Sequence, residues 1–356
     1  MNSPTIDIIV PVWNSLFETR ACLAAILASS PDDARLIIVD NGSNRATELM
    51  LEEFSEPLGE NGLFIKSERN VGLVPAINMG LARSDSDFAV IVRPHAMVHE
   101  GWLNVMLNAA VTTGAGIVSP VFAGVGAPPL PPLAPGCTLM ETCTVSLTCL
   151  LLKREMRILT GNFDERLDGG EWCLREYVRR AASKGYRTCV TNRSVLKCDI
   201  EPVYGSPKRR LEMLQNSRSA FLAVWGVSRH YVVYFGKKAD AASLSTTMDV
   251  ILDGARQGHR FSLLLHRRQY SNFRRMGWNG LHTCIEIYAI SMLYPQRDLH
   301  RKLAQLQTVS PDLLAVCGCD DIQFPLLETA IPLEELITAM SVHSACVAVQ
   351  STEMPA

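Results

Sequence analysis

The chain has 356 residues, of which 47% are hydrophobic and 20% are charged, and its formal net charge is −2. This length and composition suit a folded protein with one large or two ordinary hydrophobic cores, and they exclude a disordered chain. The near-neutral total excludes a general polyanion binder, so no nucleic-acid partner is expected.

The first part of the sequence alternates strand-like runs with helical periods. The N-terminus, MNSPTIDIIV, lacks the basic and apolar regions of a secretion signal and leads directly into a strand. Apolar runs predict the strands IDIIVPV, ARLIIVD, LFIKS, DFAVIVRP and AGIVSPV. Helical periods between them predict the helices LFETRACLAAILASS, ATELMLEEF, VPAINMGLARS and GWLNVMLNAAV. Such alternation is typical of a parallel, doubly wound sheet, in which ligands bind beyond the carboxyl ends of the strands.

The stretch between Glu100 and Glu141 contains no charge, as a membrane-spanning segment would. It is interrupted by several glycines and by five prolines between positions 128 and 135, so no apolar helix of about 20 residues fits inside it. We therefore predict a Pro-rich loop and no transmembrane segment.

A second, smaller α/β unit is predicted from residue 229 onward. The run SPKRRLEMLQNSRSAFLAVWG has the spacing of a long connecting helix, and HYVVYFG, FSLLLH, TCIEIYAI and LLAVCG follow as strands. Helical periods precede FSLLLH, occupy RDLHRKLAQLQ and follow Pro332, whereas the basic run after FSLLLH is predicted to be a polar connection. The predicted domains are residues 1–228 and residues 229–356.

The charge is unevenly distributed along the chain. Residues 1–152 contain 7 Lys and Arg against 15 Asp and Glu, residues 153–302 contain 27 against 14, and residues 303–356 contain none against 7. A basic middle section favours contact with a phosphate or another acidic group. The alternative is that it docks on the protein's own acidic segments.

The 11 cysteines are mostly isolated within apolar runs, where a reduced thiol acts as a small hydrophobic group. Without a paired zinc spacing or a secretion signal, this usage favours a reducing, cytoplasmic location. Cys317 and Cys319 form the one close pair and could bind a metal with a distant His, although their spacing is not a usual zinc spacing.

Five segments of the first 225 residues follow one another in a characteristic order: IDIIVPVWNS, LIIVDNGS, ERNVGLVPAINMGLARSDSDFAVIV, SLTCLLLKREM and GNFDERLDGGEW. Together they resemble the inverting family 2 of nucleotide-sugar glycosyltransferases. The resemblance implies an A-type fold, which is a Rossmann-like and mostly parallel sheet flanked by helices. It covers residues 5–225 and does not cover residues 230–356.

The resemblance also implies a nucleotide-sugar site at the carboxyl ends of the predicted strands. Asp40 ends the second strand and can accept a hydrogen bond from an N–H of the nucleotide base. Asn14 follows Pro11 and Trp13 and can reach the ribose or the base, while the indole of Trp13 offers an apolar wall. The alternative for Asp40 is that its carboxylate only caps the next turn.

The segment from Asn70 to Gly72 opens the third predicted helix, whose N-terminal N–H groups favour an anion. These two residues are therefore candidates for contact with the donor. The alternative is that the Asn70 side chain only caps the helix.

Inverting sugar transfer needs a general base that takes the proton of the acceptor hydroxyl. The resemblance places an acidic residue, usually within a Glu-Asp pair, shortly after the segment Gly161–Glu165. Glu171 stands at that distance, but Trp172 occupies the position of the second acid. Glu171 is therefore the first candidate base, and Asp168 and Glu176 are the alternatives. A glutamate that only interacts with a helix dipole is the non-catalytic explanation.

The largest departure from the family pattern lies at the end of the fourth strand. Where the family has an Asp-containing motif that holds Mg²⁺ or Mn²⁺ against the diphosphate, this chain has Arg93, Pro94 and His95. Either His95 binds the metal, or cationic side chains such as that of Arg93 stabilise the leaving group, or catalysis has been lost. Strand alternation would place Arg93 and His95 on one face, toward the cleft or toward solvent.

Magnesium and manganese prefer oxygen ligands, so His95 alone would hold them poorly. We therefore predict that function does not require either metal, although both are conceivable cofactors. The predicted function is transfer of a sugar from a nucleotide diphosphate donor to an acceptor bound near the Pro-rich loop and the second unit. The acceptor class stays open between a glycan, a lipid-linked glycan, a peptide and a small molecule.

A different class of function is a catalytically degenerate protein of the same fold that acts as a binding or scaffolding module. The altered motif at Arg93 and the missing second acid at Trp172 both favour it.

Overall fold

The computed structural model describes residues 4–168, 171–199, 206–236, 241–317 and 330–340. Cys319 lies outside the described residues, and so does much of the predicted C-terminal end of the chain. Contacts within the chain divide it into two compact units. One unit consists of residues 1–131 and 144–225, and the other consists of residues 132–143 and 226–356.

The elements up to residue 225 are β1 (Ile6–Val12), α1 (Leu16–Ser29), β2 (Arg35–Asn41), α2 (Arg45–Ser55), a 3₁₀ helix (Glu56–Asn61), β3 (Gly62–Ser67), α3 (Leu73–Leu81), β4 (Phe88–Val92), α4 (Trp102–Thr113), β5 (Ile117–Ala123), β6 (Leu139–Glu141), β7 (Cys149–Lys153), α5 (Arg154–Thr160), a 3₁₀ helix (Glu165–Leu167), α6 (Trp172–Ser183), β8 (Thr188–Lys197) and α7 (Pro207–Trp225). The later elements are β9 (His230–Phe235), α8 (Ala241–Arg256), β10 (Arg260–His266), α9 (Arg267–Arg275), a 3₁₀ helix (Trp278–Gly280), β11 (Ile285–Ile290), α10 (Pro295–Val309), β12 (Leu314–Cys317) and β13 (Ile331–Pro332).

The sheet of the first unit has the strand order β3-β2-β1-β4-β7-β5-β8. Strands β1 to β4 are parallel, β7 is antiparallel to both of its neighbours, and β8 is parallel to β5. Strands β1 and β4 are buried along their whole length, which agrees with helices covering both faces of the sheet. The predicted α/β architecture with a mostly parallel sheet is confirmed.

The prediction that the fourth strand continues through Arg93 is wrong. Strand β4 ends at Val92, and residues 93–96 form a turn in which Ala96 N–H donates to the carbonyl oxygen of Arg93 at 2.9 Å. Pro94 has no N–H to offer to a ladder and therefore favours this exit from the sheet. Strand alternation consequently does not decide where Arg93 and His95 point.

The second unit has a five-stranded parallel sheet in the order β11-β10-β9-β12-β13. Alternate side chains of the central strand β9 enter two different cores: Tyr231, Val233 and Phe235 join one, and Val232 and Tyr234 join the other. Both faces of the sheet are therefore covered, as in a doubly wound fold. The predicted second α/β architecture is confirmed.

The basic run after β10, which was predicted to be a polar connection, forms helix α9. Gln269 and Phe273, four residues apart, are the two buried positions of this helix. Because only two positions of this helix face inward and arginines surround them, its apolar periodicity is too weak for the helix to be predicted from the sequence.

Strand β6 comes from the segment that follows the Pro-rich loop. Glu141 N–H donates to the carbonyl oxygen of Leu281 at 3.1 Å, and Thr283 N–H donates to the carbonyl oxygen of Glu141 at 2.8 Å. The carboxylate of Glu141 also pairs with Arg256 at 2.8 Å. Segment 132–143 is thus part of the second unit.

Within the described residues, no helix is both long and apolar enough to cross a membrane.

Candidate functional site

The loop after β1 has a strained backbone that is fixed to the loop after β2. Asn14 and Ser15 both have a φ of 57°, a left-handed conformation that is costly for residues other than glycine. Asn14 N–H donates to Ser43 Oγ at 2.8 Å, and Asn14 Oδ1 accepts from Asn44 N–H at 2.8 Å. The side chain of Asn14 therefore connects the two loops, and Trp13 beside it is half-buried.

Pro11 lies one step further back, buried within β1 in register with Val39 of β2. It supports the position of the loop after β1 and is itself part of the sheet.

Asp40 lies near the carboxyl end of β2 and is 1% exposed. Its Oδ1 accepts from Ser43 N–H at 2.9 Å, so the carboxylate does cap the turn that follows. Among the described residues, Oδ2 has no hydrogen-bond partner. One oxygen of Asp40 thus shapes the turn, and the other retains its capacity to accept a hydrogen bond.

Asn41 is a site residue that the sequence analysis missed. Its side chain is 4% exposed and makes three hydrogen bonds to the loop before α3. Nδ2 donates to Asn70 Oδ1 at 3.1 Å and to the carbonyl oxygen of Gly72 at 2.9 Å, while Oδ1 accepts from Val71 N–H at 2.9 Å. Asn41 therefore joins the end of β2 to the start of α3. The dipeptide Asp40-Asn41 at a strand end was the available signal.

Gly72 and Asp168 approach each other closely at the N-terminus of α3. Gly72 has a φ of 113° and a ψ of 164°, a combination that is essentially restricted to glycine. A Cβ at this position would overlap Asp168 Oδ2. Asp168 Oδ1 in turn accepts from Val74 N–H at 3.0 Å, so its carboxylate caps the helix.

Burial raises the pKa of Asp168 to about 6, reinforced by the negative charge of Glu165. Hydrogen bonds from the N–H groups of Val74 and Leu73 and the positive charge of Arg93 act in the opposite direction. A carboxyl group with this pKa is ionised at neutral pH yet basic enough to accept a proton from a hydroxyl group.

The segment that carries Asp168 is held against α3 by Asn78. Asn78 Nδ2 donates to the carbonyl oxygen of Phe163 at 3.0 Å and to Glu165 Oε1 at 2.9 Å, and Phe163 N–H donates to Asn78 Oδ1 at 3.1 Å. Two of the segments that carry the family resemblance are therefore neighbours in space.

Glu171 and Glu176 have very different surroundings. Glu171 precedes α6, its side chain is 54% exposed, and it pairs with Arg175 at 3.3 Å. Glu176 is 4% exposed, and both of its oxygens accept from Arg180, at 2.9 and 2.8 Å. Arg180 also donates to the carbonyl oxygens of Thr160 and Asn162. Glu176 therefore has a structural role that fixes α6 to the preceding loop.

Arg93 and His95 occupy the turn after β4. Arg93 is half-buried, and its positive charge acts to lower the pKa values of His95, Asp168 and Cys198. His95 is 8% exposed and its Nε2 lies 3.3 Å from Thr148 Oγ1. Burial, together with the charge of Arg93, lowers the pKa of His95 to about 3. The imidazole is therefore neutral at physiological pH.

Four parts of the predicted site thus meet at the carboxyl edge of the first sheet: the loops after β1, β2 and β4, and the start of α3 with Asp168. Glu171, immediately before α6, is exposed and pairs with Arg175.

Residues 7–131 match the family model described as glycosyl transferase family 2. Among curated proteins, Glycosyltransferase AglE of Haloferax volcanii is 25% identical over 117 residues, which cover 32% of this chain and 38% of that protein. The putative polypeptide N-acetylgalactosaminyltransferase 13 of Drosophila melanogaster is 25% identical over 230 residues, which cover 62% of this chain and 34% of that protein. The chain spans about a third of the length of these two relatives.

Two solved structures are similar in fold. GalNAc-T7 with UDP, GalNAc and Mn²⁺ has a TM-score of 0.51 and 14% identity, covering 63% of this chain and 50% of that one. The mannosyltransferase PcManGT of Pyrobaculum calidifontis, in complex with GDP-Man and Mn²⁺, has a TM-score of 0.50 and 15% identity, covering 99% and 88%. The predicted resemblance to family 2 glycosyltransferases and the A-type fold are confirmed.

Both solved structures contain Mn²⁺, but the residues after β4 of this chain do not fit such an ion. Mn²⁺ and Mg²⁺ prefer carboxylate and carbonyl oxygens, whereas this turn offers a guanidinium and an imidazole directed at the hydroxyl group of Thr148. In the part of the chain that is described, no group of three or more His, Cys, Asp or Glu residues is arranged to hold a metal.

Proposed function

We propose that this protein transfers a sugar, with inversion, from a nucleoside diphosphate donor to an acceptor hydroxyl group. The observation that carries the proposal is the convergence of Asn14, Asp40, Arg93 and Asp168 at one sheet edge within a family 2 domain. The donor class rests on the family match and on the UDP and GDP sugar named with the two similar structures.

In this proposal, Asp40 Oδ2 accepts a hydrogen bond from an N–H of the nucleotide base. A buried carboxylate whose other oxygen is fixed by Ser43 is well oriented for such a contact. Asn14 stands next to it, and Trp13 supplies an apolar surface for the ring. The nucleotide is therefore recognised through the loops after β1 and β2.

Arg93 stabilises the leaving diphosphate. As the bond between the anomeric carbon and the phosphate oxygen breaks, negative charge develops on the diphosphate and must be neutralised. A guanidinium is permanently charged and can donate to two phosphate oxygens at once. We therefore propose that transfer does not depend on Mg²⁺ or Mn²⁺.

Asp168 is the proposed base. The acceptor oxygen forms a bond to the anomeric carbon from the face opposite the diphosphate, and its proton passes to the carboxylate. The raised pKa of Asp168 and its place beside Gly72 favour it over Glu171, which was the first candidate from the sequence and whose side chain is exposed and paired with Arg175.

The experiment is donor hydrolysis and acceptor transfer with a panel of nucleotide sugars, using Asp168→Asn and Glu171→Gln as a matched pair. Asp168→Asn keeps the oxygen that caps α3 but cannot take a proton, so transfer should fall by about 10²–10⁴ with nucleotide affinity nearly intact. Glu171→Gln should retain most of the activity. The reverse pattern would assign the base to Glu171.

A metal titration tests the leaving-group step separately. Activity measured after treatment with EDTA should equal that of untreated protein, and added Mn²⁺ should not raise it. Loss of activity with EDTA and recovery with Mn²⁺ would contradict the role given to Arg93.

A binding module of the same fold is the second candidate function. It is favoured by the exposed position of Glu171 and by Trp172 in the place of the second acid. A protein that binds nucleoside diphosphates but neither hydrolyses nor transfers any donor of the panel would support this function and contradict the first.

A further inference from the structure

The loop between β11 and α10 exposes three consecutive large apolar side chains. Met292 is 53% exposed, Leu293 is 82% exposed and Tyr294 is 69% exposed. Single apolar residues on a surface are ordinary, but an exposed contiguous group of them indicates an interaction site. The base of this loop is fixed, since Ser291 N–H donates to Asp298 Oδ2 at 3.0 Å.

Arginines lie at the same edge of the second sheet as this apolar loop. Strands β10 and β11 are parallel neighbours, with His266 in register with Ile290, so the residues after both strands leave the sheet at one edge. Arg267 and Arg268 follow β10 directly, and Arg297 lies in the first turn of α10; all three are exposed.

Among the described residues, acidic groups do not cancel this charge. Asp298, in the first turn of α10, is occupied by Ser291 N–H and by Arg301, which pairs with it at 2.5 Å. Glu286 is in register with Ser262, toward the amino ends of the strands, and pairs with Arg260. Counted over the described residues, the apolar loop is therefore accompanied by a net positive charge.

We propose that this edge of the second unit docks on the surface of an anionic phospholipid bilayer. Leu293 and Tyr294 enter the interfacial layer, where an aromatic ring with a polar tip is favoured, and the arginines face lipid phosphates. A side chain as exposed as that of Leu293 protrudes from the protein, and a fluid lipid layer accommodates a protruding group without a preformed pocket. This inference does not depend on sugar transfer.

Sedimentation of the 356-residue protein with vesicles tests the proposal. Vesicles of phosphatidylcholine with phosphatidylglycerol should bind the protein, pure phosphatidylcholine vesicles should bind it far less, and salt should weaken binding. The variant Leu293→Glu/Tyr294→Glu should reduce the partition coefficient at least about tenfold, because two charges replace the inserted groups. Arg267→Ala/Arg268→Ala should reduce it by about fivefold for each arginine removed.

The chain offers a matched control for each variant, since α9 and α10 both run away from this edge. Arg274→Ala/Arg275→Ala changes two exposed arginines at the other end of α9, and Val309→Glu changes a side chain that is 75% exposed at the other end of α10. Both should bind vesicles like the unaltered protein, and thermal unfolding verifies that all variants fold.

Three outcomes would overturn the proposal: absence of vesicle binding, equal binding to neutral vesicles, or an equal loss in the control variants. Self-association that Leu293→Glu/Tyr294→Glu abolishes, without vesicle binding, would overturn it in favour of a second copy of the chain as the partner.

Discussion

The two oxygens of Asp40 have different surroundings, and this difference separates a structural role from a binding role in one side chain. Oδ1 accepts from Ser43 N–H and shapes the turn, whereas Oδ2 has no partner among the described residues. Local capping and ligand recognition, which were alternatives at the level of the sequence, are therefore compatible. For Asn70 the structure shows the capping role, because its Oδ1 accepts from Gly72 N–H at 2.9 Å within the loop that opens α3.

We expect Asp40→Ala to weaken the binding of nucleoside diphosphates by about 1.5–3 kcal/mol, the range for a hydrogen bond to a charged group. Asp40→Asn is the control, because its amide oxygen can still cap the turn at Ser43 while the charge is lost. Calorimetric titration of both variants measures the effect. Unchanged affinity in folded Asp40→Ala protein would remove this residue from the site.

Arg93 and His95 should respond differently to substitution. Arg93→Ala should weaken nucleoside diphosphate binding by more than about 1.5 kcal/mol, because it removes a charged donor, and Arg93→Lys should recover part of that loss. His95→Ala should mainly lower stability, since the imidazole is buried beside Thr148. Calorimetry and thermal unfolding distinguish the two effects. A larger loss of affinity in His95→Ala would contradict the assignment.

The site was predictable to the extent that its residues stand at strand ends. Asp40 and Asn14 were predicted in this way, and each accepts a hydrogen bond from the loop after β2. Asn41 was missed because a single Asn after a strand does not indicate that its amide will bond a loop about 30 residues later. Asp168 was only an alternative base from the sequence, since its raised pKa depends on burial, which only the tertiary fold produces.

At the scale of the elements, helix α3 is the part of the candidate site whose position is best fixed by hydrogen bonds to other segments. Asn41 and Asp168 bond the helix or the loop before it, and Asn78 of the helix itself bonds the carbonyl oxygen of Phe163. Oxygens of the chain itself therefore cap the start of this helix, and the carboxylate of Asp168 occupies the N–H of Val74.

Gly72→Ala tests this arrangement. The added Cβ would meet Asp168 Oδ2 and take a backbone conformation reserved for glycine, so we expect a loss of about 2–3 kcal/mol in stability together with reduced nucleotide affinity. Gly101→Ala is the control: it also has a positive φ, of 76°, but no atom lies within 4 Å of its Cβ position. Equal effects of the two substitutions on nucleotide affinity would contradict the role of the contact with Asp168.

Most elements were predicted because buried strands and periodic helices leave strong apolar patterns, as β9 and β10 illustrate. The exceptions have physical reasons. The strand before Arg93 ends early because Pro94 leaves the ladder, and α9 was missed because arginines surround its two inward positions. The antiparallel direction of β7 leaves no trace in its apolar run CLLLK, since direction depends on the connections between strands.

At the scale of the whole molecule, each of the two units contains a buried histidine whose pKa is strongly lowered. His95 of the first unit and His282 of the second are 8% and 1% exposed, and burial lowers the pKa of each to about 3. Their partners differ: Thr148 for His95, and the backbone N–H of Cys284, at 3.0 Å, for His282. The contribution of Asp168 to stability has the opposite pH dependence. Folding raises the pKa of this carboxyl group, so its ionisation lowers the stability of the protein as the pH rises toward about 6.

A histidine with a lowered pKa in the folded state takes up a proton more readily in the unfolded state, so its contribution to stability is present above pH 6.5 and is lost as the pH falls toward 3. Each of the two imidazoles should account for up to about 5 kcal/mol over that range. We expect His95→Gln, which can still reach Thr148, and His282→Asn, which can still accept from Cys284 N–H, each to reduce the acid dependence of unfolding. The effects should add in the double variant, because the residues belong to different units.

His300→Gln, at an exposed position of α10, is the control. Calorimetric unfolding between pH 7.5 and 4 measures all four proteins, and an acid dependence unchanged in the double variant would show that other groups govern it.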